Sequence, residues 1–143
     1  MDVIRFFVEG VPMPQGSKAH VGKGVMIESA DRKTNTRRTG GLKRWRQAVY
    51  IEARQAIKSG QFFSDEDPVA MSLIFSLPKP KSVKQMLPFR KPDVDKLARA
   101  VCDALSGTLY KDDARIVRLI ASKRYCQKGE APGVHVTCSL IRK

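Results

Sequence analysis

Histidine is nearly absent from this chain of 143 residues: only His20 and His135 occur, which argues against a histidine-built metal centre. Cysteine is little better represented. Cys102, Cys126 and Cys138 are odd in number and stand in no CxxC spacing, so neither a disulfide framework nor a thiolate zinc site is expected, and the pattern fits a reducing cytosol. No stretch approaches the ~18 apolar residues that a membrane span needs. Nor is there a basic helix with a bulky apolar face of the kind that lies on anionic bilayers. The opening MDVIRFFVEG is interrupted by Asp2, Arg5 and Glu9, so it holds no continuous apolar signal region. The expectation is a soluble, cytoplasmic protein with no membrane partner. Acid is also in short supply, with 14 Asp and Glu against 27 Lys and Arg, a formal net charge of +13. So much like charge costs compactness through self-repulsion, and a polyanion relieves it. Nucleic acid is the leading partner.

What is present fits one domain over residues 1–143, long enough to bury a core without metal or disulfide staples. Residues 3–9 read as a first strand, ended by the turn-rich GVPMPQG, and residues 25–27 as a short second one. Residues 31–41 (DRKTNTRRTGG) contain no apolar side chain and four basic ones, so they cannot offset their ordering entropy by burial and read as a mobile loop. Apolar residues at Leu42, Trp45, Val49, Ala53 and Ala56/Ile57 predict a helix, with Lys43, Arg44, Arg46 and Arg54 on or beside its other face. Alternation at Val69, Met71, Leu73, Phe75 and Leu77 predicts a strand, and PKPKSVKQMLPFRKP a proline- and lysine-rich loop. A second helix is expected over residues 94–105, buried through Val94, Leu97, Ala98, Val101 and Leu105, with Asp93 at its N-cap and Gly107 at C′. Residues 115–125 and 133–141 read as two more strands, paired as a hairpin. The order β-β-α-β-α-β-β gives a single α+β domain with two main helices on a mixed sheet.

Five of the 14 acidic residues (Asp93, Asp95, Asp103, Asp112 and Asp113) fall within 21 positions, and all five are Asp. Short carboxylates concentrated in so basic a chain suggest a hard-cation site, because Mg²⁺ takes a few carboxylate oxygens and keeps waters. Each has a bland alternative. Asp93 serves equally as an N-cap, Asp95 as a first-turn acid, Asp103 as a partner of Arg99, and Asp112–Asp113 as turn residues. Jointly the alternatives fit less well, since a helix needs one cap and a turn rarely needs two aspartates. Metal-binding carboxylates together with DNA-binding charge point to phosphodiester hydrolysis. Arg99, one helical turn after Asp95, is the first choice for a cation that stabilises the transition state, with Lys96 and Lys111 the others.

The run KPDVDKLARAVCDALSGTLYKDDARIV resembles the RusA family of Holliday junction resolvases. It carries that family's Asp-x-Asp at a helix start (Asp93, Asp95), an Asp-Ala-Leu-x-Gly helix end (Asp103 to Gly107), an aromatic (Tyr110) and Asp112-Asp113 before a strand. GVPMPQGSK is similar to the family's opening, with less specificity. The resemblance implies a RusA-like fold, a homodimer, and Mg²⁺-dependent paired cuts across a four-way junction, with Mn²⁺ able to substitute. Asp93, Asp95 and Asp113 would be the essential catalytic and metal-binding carboxylates, Asp112 a further metal ligand, and Arg99 the catalytic cation. Two positions depart from the pattern: Lys96 stands where relatives often have Asn, and Arg99 where they often have Lys. An arginine clamps phosphate but cannot shuttle a proton.

Lys18, Arg32, Lys33, Arg37, Arg38, Lys43, Arg44, Lys91, Lys96 and Lys111 are expected to follow the DNA backbone. Two other functions compete with junction resolution. One is a non-catalytic nucleic-acid-binding phage protein, which has no need of an aspartate cluster that DNA repels. The other is a nuclease for different branched DNA, such as flaps or forks, since branch shape is read through phosphate geometry.

Overall fold

The computed structural model describes residues 3–16, 18–20, 26–28, 41–58, 63 and 66–141. In chain order the elements are β1 (Val3–Glu9), β2 (Lys18–His20), β3 (Met26–Glu28), α1 (Gly41–Ile57), β4 (Val69–Leu77), α2 (Val94–Leu105), a 3₁₀ turn (Asp113–Arg115), β5 (Ile116–Tyr125) and β6 (Gly133–Leu140). Four strands make a mixed sheet in the order β1-β6-β4-β5, and β2 pairs antiparallel with β3 apart from it. The α+β class and the two helices are as the sequence predicts. Strand β2 is an addition, because three residues are too few for an alternating pattern to register.

Alternation decides which face of the sheet is covered. Ile4, Phe6 and Val8 of β1 stand opposite Cys138, Val136 and Val134 of β6, which stand opposite Met71, Leu73 and Phe75 of β4. All but the half-buried Phe6 are buried, and they share a core with Leu42, Trp45, Val49, Ala53 and Ile57 of α1 and Leu97, Ala98, Val101 and Leu105 of α2. Both helices therefore lie on one face. Cutting a fully buried Leu97 or Leu73 to alanine would cost about 2–5 kcal/mol.

The expected hairpin between β5 and β6 does not form. β4 lies between them, parallel to β5 and antiparallel to β6. The helix α2 is the crossover that a parallel pair requires, so β5 lands beside β4 at the sheet edge. Strand β6 buries Val134, Val136 and Cys138 and takes the interior position with a ladder on each side. Strand β5 leaves Val117, Leu119 and Ile120 exposed and carries Arg118, Lys123 and Arg124, a charged composition that suits an edge. Residues 126–132 then carry the chain past the end of β4. Glu130 pins that crossing: it accepts from Arg124 Nη1 and Nη2 at 2.6 and 2.8 Å, from Gln127 N at 2.9 Å and from Ser76 Oγ at 3.3 Å.

Candidate active site

The start of α2 is held from two sides. Lys123 Nζ donates to the carbonyls of Arg90 and Pro92, both at 2.7 Å, tying the preceding loop to β5. Gln15 N donates to Lys96 O at 3.0 Å, tying the first turn of the helix to the segment after β1. Asp93 occupies the N-cap with φ −71° and ψ 137°, but its side chain makes no capping hydrogen bond. Its carboxylate lies 3.8 Å from Lys96 Nζ instead. Asp93 thus holds the expected N-cap position, with its carboxylate turned to Lys96 rather than to the helix amides.

The far end of α2 is set by Tyr110. Its buried hydroxyl donates to Cys102 O at 2.8 Å, folding the turn back onto the last helical turn. Gly107 makes that reversal possible at φ +83°, a left-handed conformation that costs glycine no Cβ clash. Asp112 and Asp113 emerge directly after. Asp112 Oδ1 accepts from Ala114 N at 2.8 Å and so caps the 3₁₀ turn, which makes the turn reading of Asp112 sound as far as that oxygen goes.

Between α2 and the first residues of β5 lies an open cleft of about 450 Å³, lined among others by Asp95, Arg99, Cys102, Asp113 and Arg118. Asp113 is the perturbed group there. Partial desolvation first, then a hydrogen bond to and the charge of Asp103, then Asp112, push it up to about 6, against the lowering charge of Arg46 on α1. Carboxyls held together in this way repel unless they share a proton or a cation. The Cys102 thiol is pushed up to about 12, chiefly by burial, so it is no nucleophile at neutral pH.

The sequence-predicted residues divide accordingly. Asp95, Arg99 and Asp113 meet in one cleft, and Asp103 joins them through Asp113. Among the described residues no ion pair joins Arg99 to Asp95 or Asp103, so Arg99 is not occupied as a helix-surface partner. Asp93 is two residues from Asp95 but does not line the cleft. Lys43, Arg44, Lys91 and Lys111 are exposed, and Lys96 is half-buried beside Asp93. The side chain of Lys18, and Arg32, Lys33, Arg37 and Arg38 entirely, lie outside the described residues. Two cations escape a sequence-based assignment to the catalytic centre. Arg46, half-buried three residues before Val49, was one of several basic residues on its helix, and Arg118 lay in a strand with no acidic neighbour to flag it.

Among the described residues no three Asp, Glu, His or Cys side chains converge tightly enough to enclose a metal ion. The donor chemistry nevertheless fits a hard cation. Mg²⁺ is commonly held by one or two carboxylates with waters and substrate phosphate completing its shell, and Asp95 and Asp113 supply two. No helix among the described residues is long and apolar enough to cross a membrane.

A family model described as Endodeoxyribonuclease RusA matches residues 9–139 of the chain. The chain is also 33% identical to the protein described as Uncharacterized protein YqaN from Bacillus subtilis (strain 168), with 95% of each covered.

Proposed function

The chain belongs to the RusA endodeoxyribonuclease family, and from that premise we propose that it resolves four-way DNA junctions by paired, Mg²⁺-dependent phosphodiester hydrolysis. The observation that carries this reading is the convergence of Asp95, Asp113 and Arg99 on one open cleft of a protein with net charge +13. A DNA-binding protein without chemistry gains nothing from carboxyls placed where phosphate must lie.

Asp95 and Asp113 would hold the metal, with Asp93 and Asp112 as further candidate ligands. Bound there, Mg²⁺ or Mn²⁺ supplies Lewis-acid polarisation of phosphate and a more acidic water. Asp103 is a positioning residue, acting through its carboxyl beside that of Asp113. Arg99 clamps a non-bridging oxygen as charge builds in the transition state, a contact that acts on the rate rather than on affinity. The exposed cations of α1 and the loop before α2 carry the DNA backbone past the cleft. A two-fold homodimer is part of the proposal, since a junction is resolved by two opposed cuts and a C2 pair offers two identical sites. The three free cysteines suit action in the cytoplasm.

The test is incubation of the protein with a synthetic four-way junction and with a linear duplex of matched sequence, each with Mg²⁺ or with EDTA. Symmetric nicks in the junction that require Mg²⁺ are expected. Cutting that persists in excess EDTA, or none with any divalent ion, would overturn the proposal.

A further inference from the structure

A second cavity, of about 270 Å³, opens at the C-terminal ends of the parallel strands β4 and β5. We propose that it receives one nucleobase of the DNA strand that runs through the catalytic cleft, several nucleotides from the cut. The proposal rests on the nuclease reading above.

Its lining suits a flat apolar ring. Leu77 and Tyr125, the last residues of β4 and β5, meet Val11 and Pro12 from the segment after β1, with Val83 and Pro92 from the loop before α2. Prolines keep their shape at little entropic cost. The volume is just under the ~300–1,000 Å³ of sites that take a drug-sized ligand, which suits one ring system.

Its rim suits the phosphates to which such a ring is attached. Residues 78–92 contain Lys79, Lys81, Lys84, Arg90 and Lys91 and no acid. Lys79 Nζ stands 5.7 Å from the centroid of the Tyr125 ring, and Arg90 and Lys91 line the cavity itself. An apolar interior beside Arg90, Lys91 and Lys79 is complementary to a nucleotide and poorly matched to an apolar peptide. The wall is also pre-built, because Lys123 fixes the carbonyls of Arg90 and Pro92 at 2.7 Å.

Its position connects it to the cut. Pro92 lines this cavity and Asp95 lines the catalytic cleft. Three residues of chain span at most ~11 Å to the Asp95 end of the cleft. Asp113, in contrast, precedes the ten residues of β5 that end at Tyr125, ~33 Å of strand. The cavity therefore lies roughly three to ten nucleotide steps of ~3.4 Å from the carboxyls of the cleft. At a branch point a base leaves its stack at reduced cost, so a pocket for it adds selectivity for branched DNA.

The experiment uses the full chain and a fluorescein-labelled four-way junction, with binding read by anisotropy in Ca²⁺ and cutting in Mg²⁺. Twenty further junctions each carry one abasic nucleotide, at the ten positions on either side of the mapped cut. One position is expected to lose about 5–150-fold in affinity, the scale of one base stacked on protein. Val83→Trp and Val11→Trp fill the cavity from two separate segments of its lining, at half-buried and exposed positions. Both are expected to bind the intact junction as weakly as wild type binds that abasic one, and to show no further loss on it. Uniform binding of all twenty abasic junctions by wild type would overturn the proposal, whatever the variants do. Variants that bind poorly while abasic sites have no effect would mean a different occupant, and overturn it too. Normal Mg²⁺-dependent cutting alongside either result leaves the nuclease reading standing, whereas a wild type that neither binds nor cuts the junction removes both.

Discussion

Asp103 stands near Asp113, a carboxyl beside a carboxyl, across the turn that joins α2 to β5, and helps raise the Asp113 pKa to about 6. The pair links a helix-end aspartate ten positions earlier to a residue that lines the cleft. Residues that orient a metal ligand typically contribute 10–100-fold to affinity or activity. Asp103→Ala is therefore expected to slow single-turnover cutting by about that factor, with junction binding retained. A rate equal to wild type would make the contact incidental.

Arg99 lines the cleft without an ion-pair partner among Asp95 and Asp103. Arg99→Ala should slow single-turnover cutting by ~10²–10³, the scale for one lost transition-state donor. Arg99→Lys should recover much of it, keeping charge and losing only the bidentate geometry. Affinity should change little, since one phosphate contact is a small share of many. If alanine cuts within about twofold of wild type and only melts slightly earlier, Arg99 is a surface charge of the kind worth ~0–1 kcal/mol.

Acid stability should report Glu130. Arg124 first, then the Gln127 amide, hold its carboxyl from the usual 4.5 down to about 2. A depressed folded-state pKa adds stability that is full above about 4.5 and is lost as pH falls through about 2. Urea midpoints measured from pH 7 to pH 2 should thus fall in that window for wild type. Glu130→Gln should start lower and lose less. Parallel curves would mean that the crossing between β5 and β6 is held by other contacts.

Junction binding should weaken steeply with salt, because Lys and Arg displace counterions condensed on DNA. A footprint of ~6–10 phosphates loses roughly 10³–10⁵ in affinity between 50 and 200 mM salt. Replacing Arg37 and Arg38 by alanine should flatten the slope without altering the rate at saturating protein. An unchanged slope would put the basic segment off the DNA path.

Much of this was legible in the residues themselves. The spacing of Leu42, Trp45, Val49, Ala53 and Ile57 and the alternation from Val69 to Leu77 predict α1 and β4 because each side chain answers to one buried face. Local pattern does not carry pairing. β5 and β6 are joined by a short segment that looks like a hairpin, and only competition for the central position, with Val134, Val136 and Cys138 buried, places β4 between them. The aspartate spacing brings Asp95 and Asp113 to mind as partners, since a helix and the strand after it return past one another. It says nothing of Arg46, whose effect on Asp113 depends on how α1 packs against α2. Nor could it separate Asp112, which caps a turn, from Asp113, which faces the cleft.

The most direct measurement is single-turnover cleavage of a four-way junction by wild type, Asp95→Asn and Asp113→Asn, with Mg²⁺ and with EDTA, protein saturating the DNA and binding measured in parallel. Wild type should cut opposed strands only with the metal, and both variants should bind the junction but fail to cut it. Asparagine variants that cut at the wild-type rate, or wild-type cutting in EDTA, would contradict the assignment of Asp95 and Asp113 as the metal-binding carboxylates of a nuclease site.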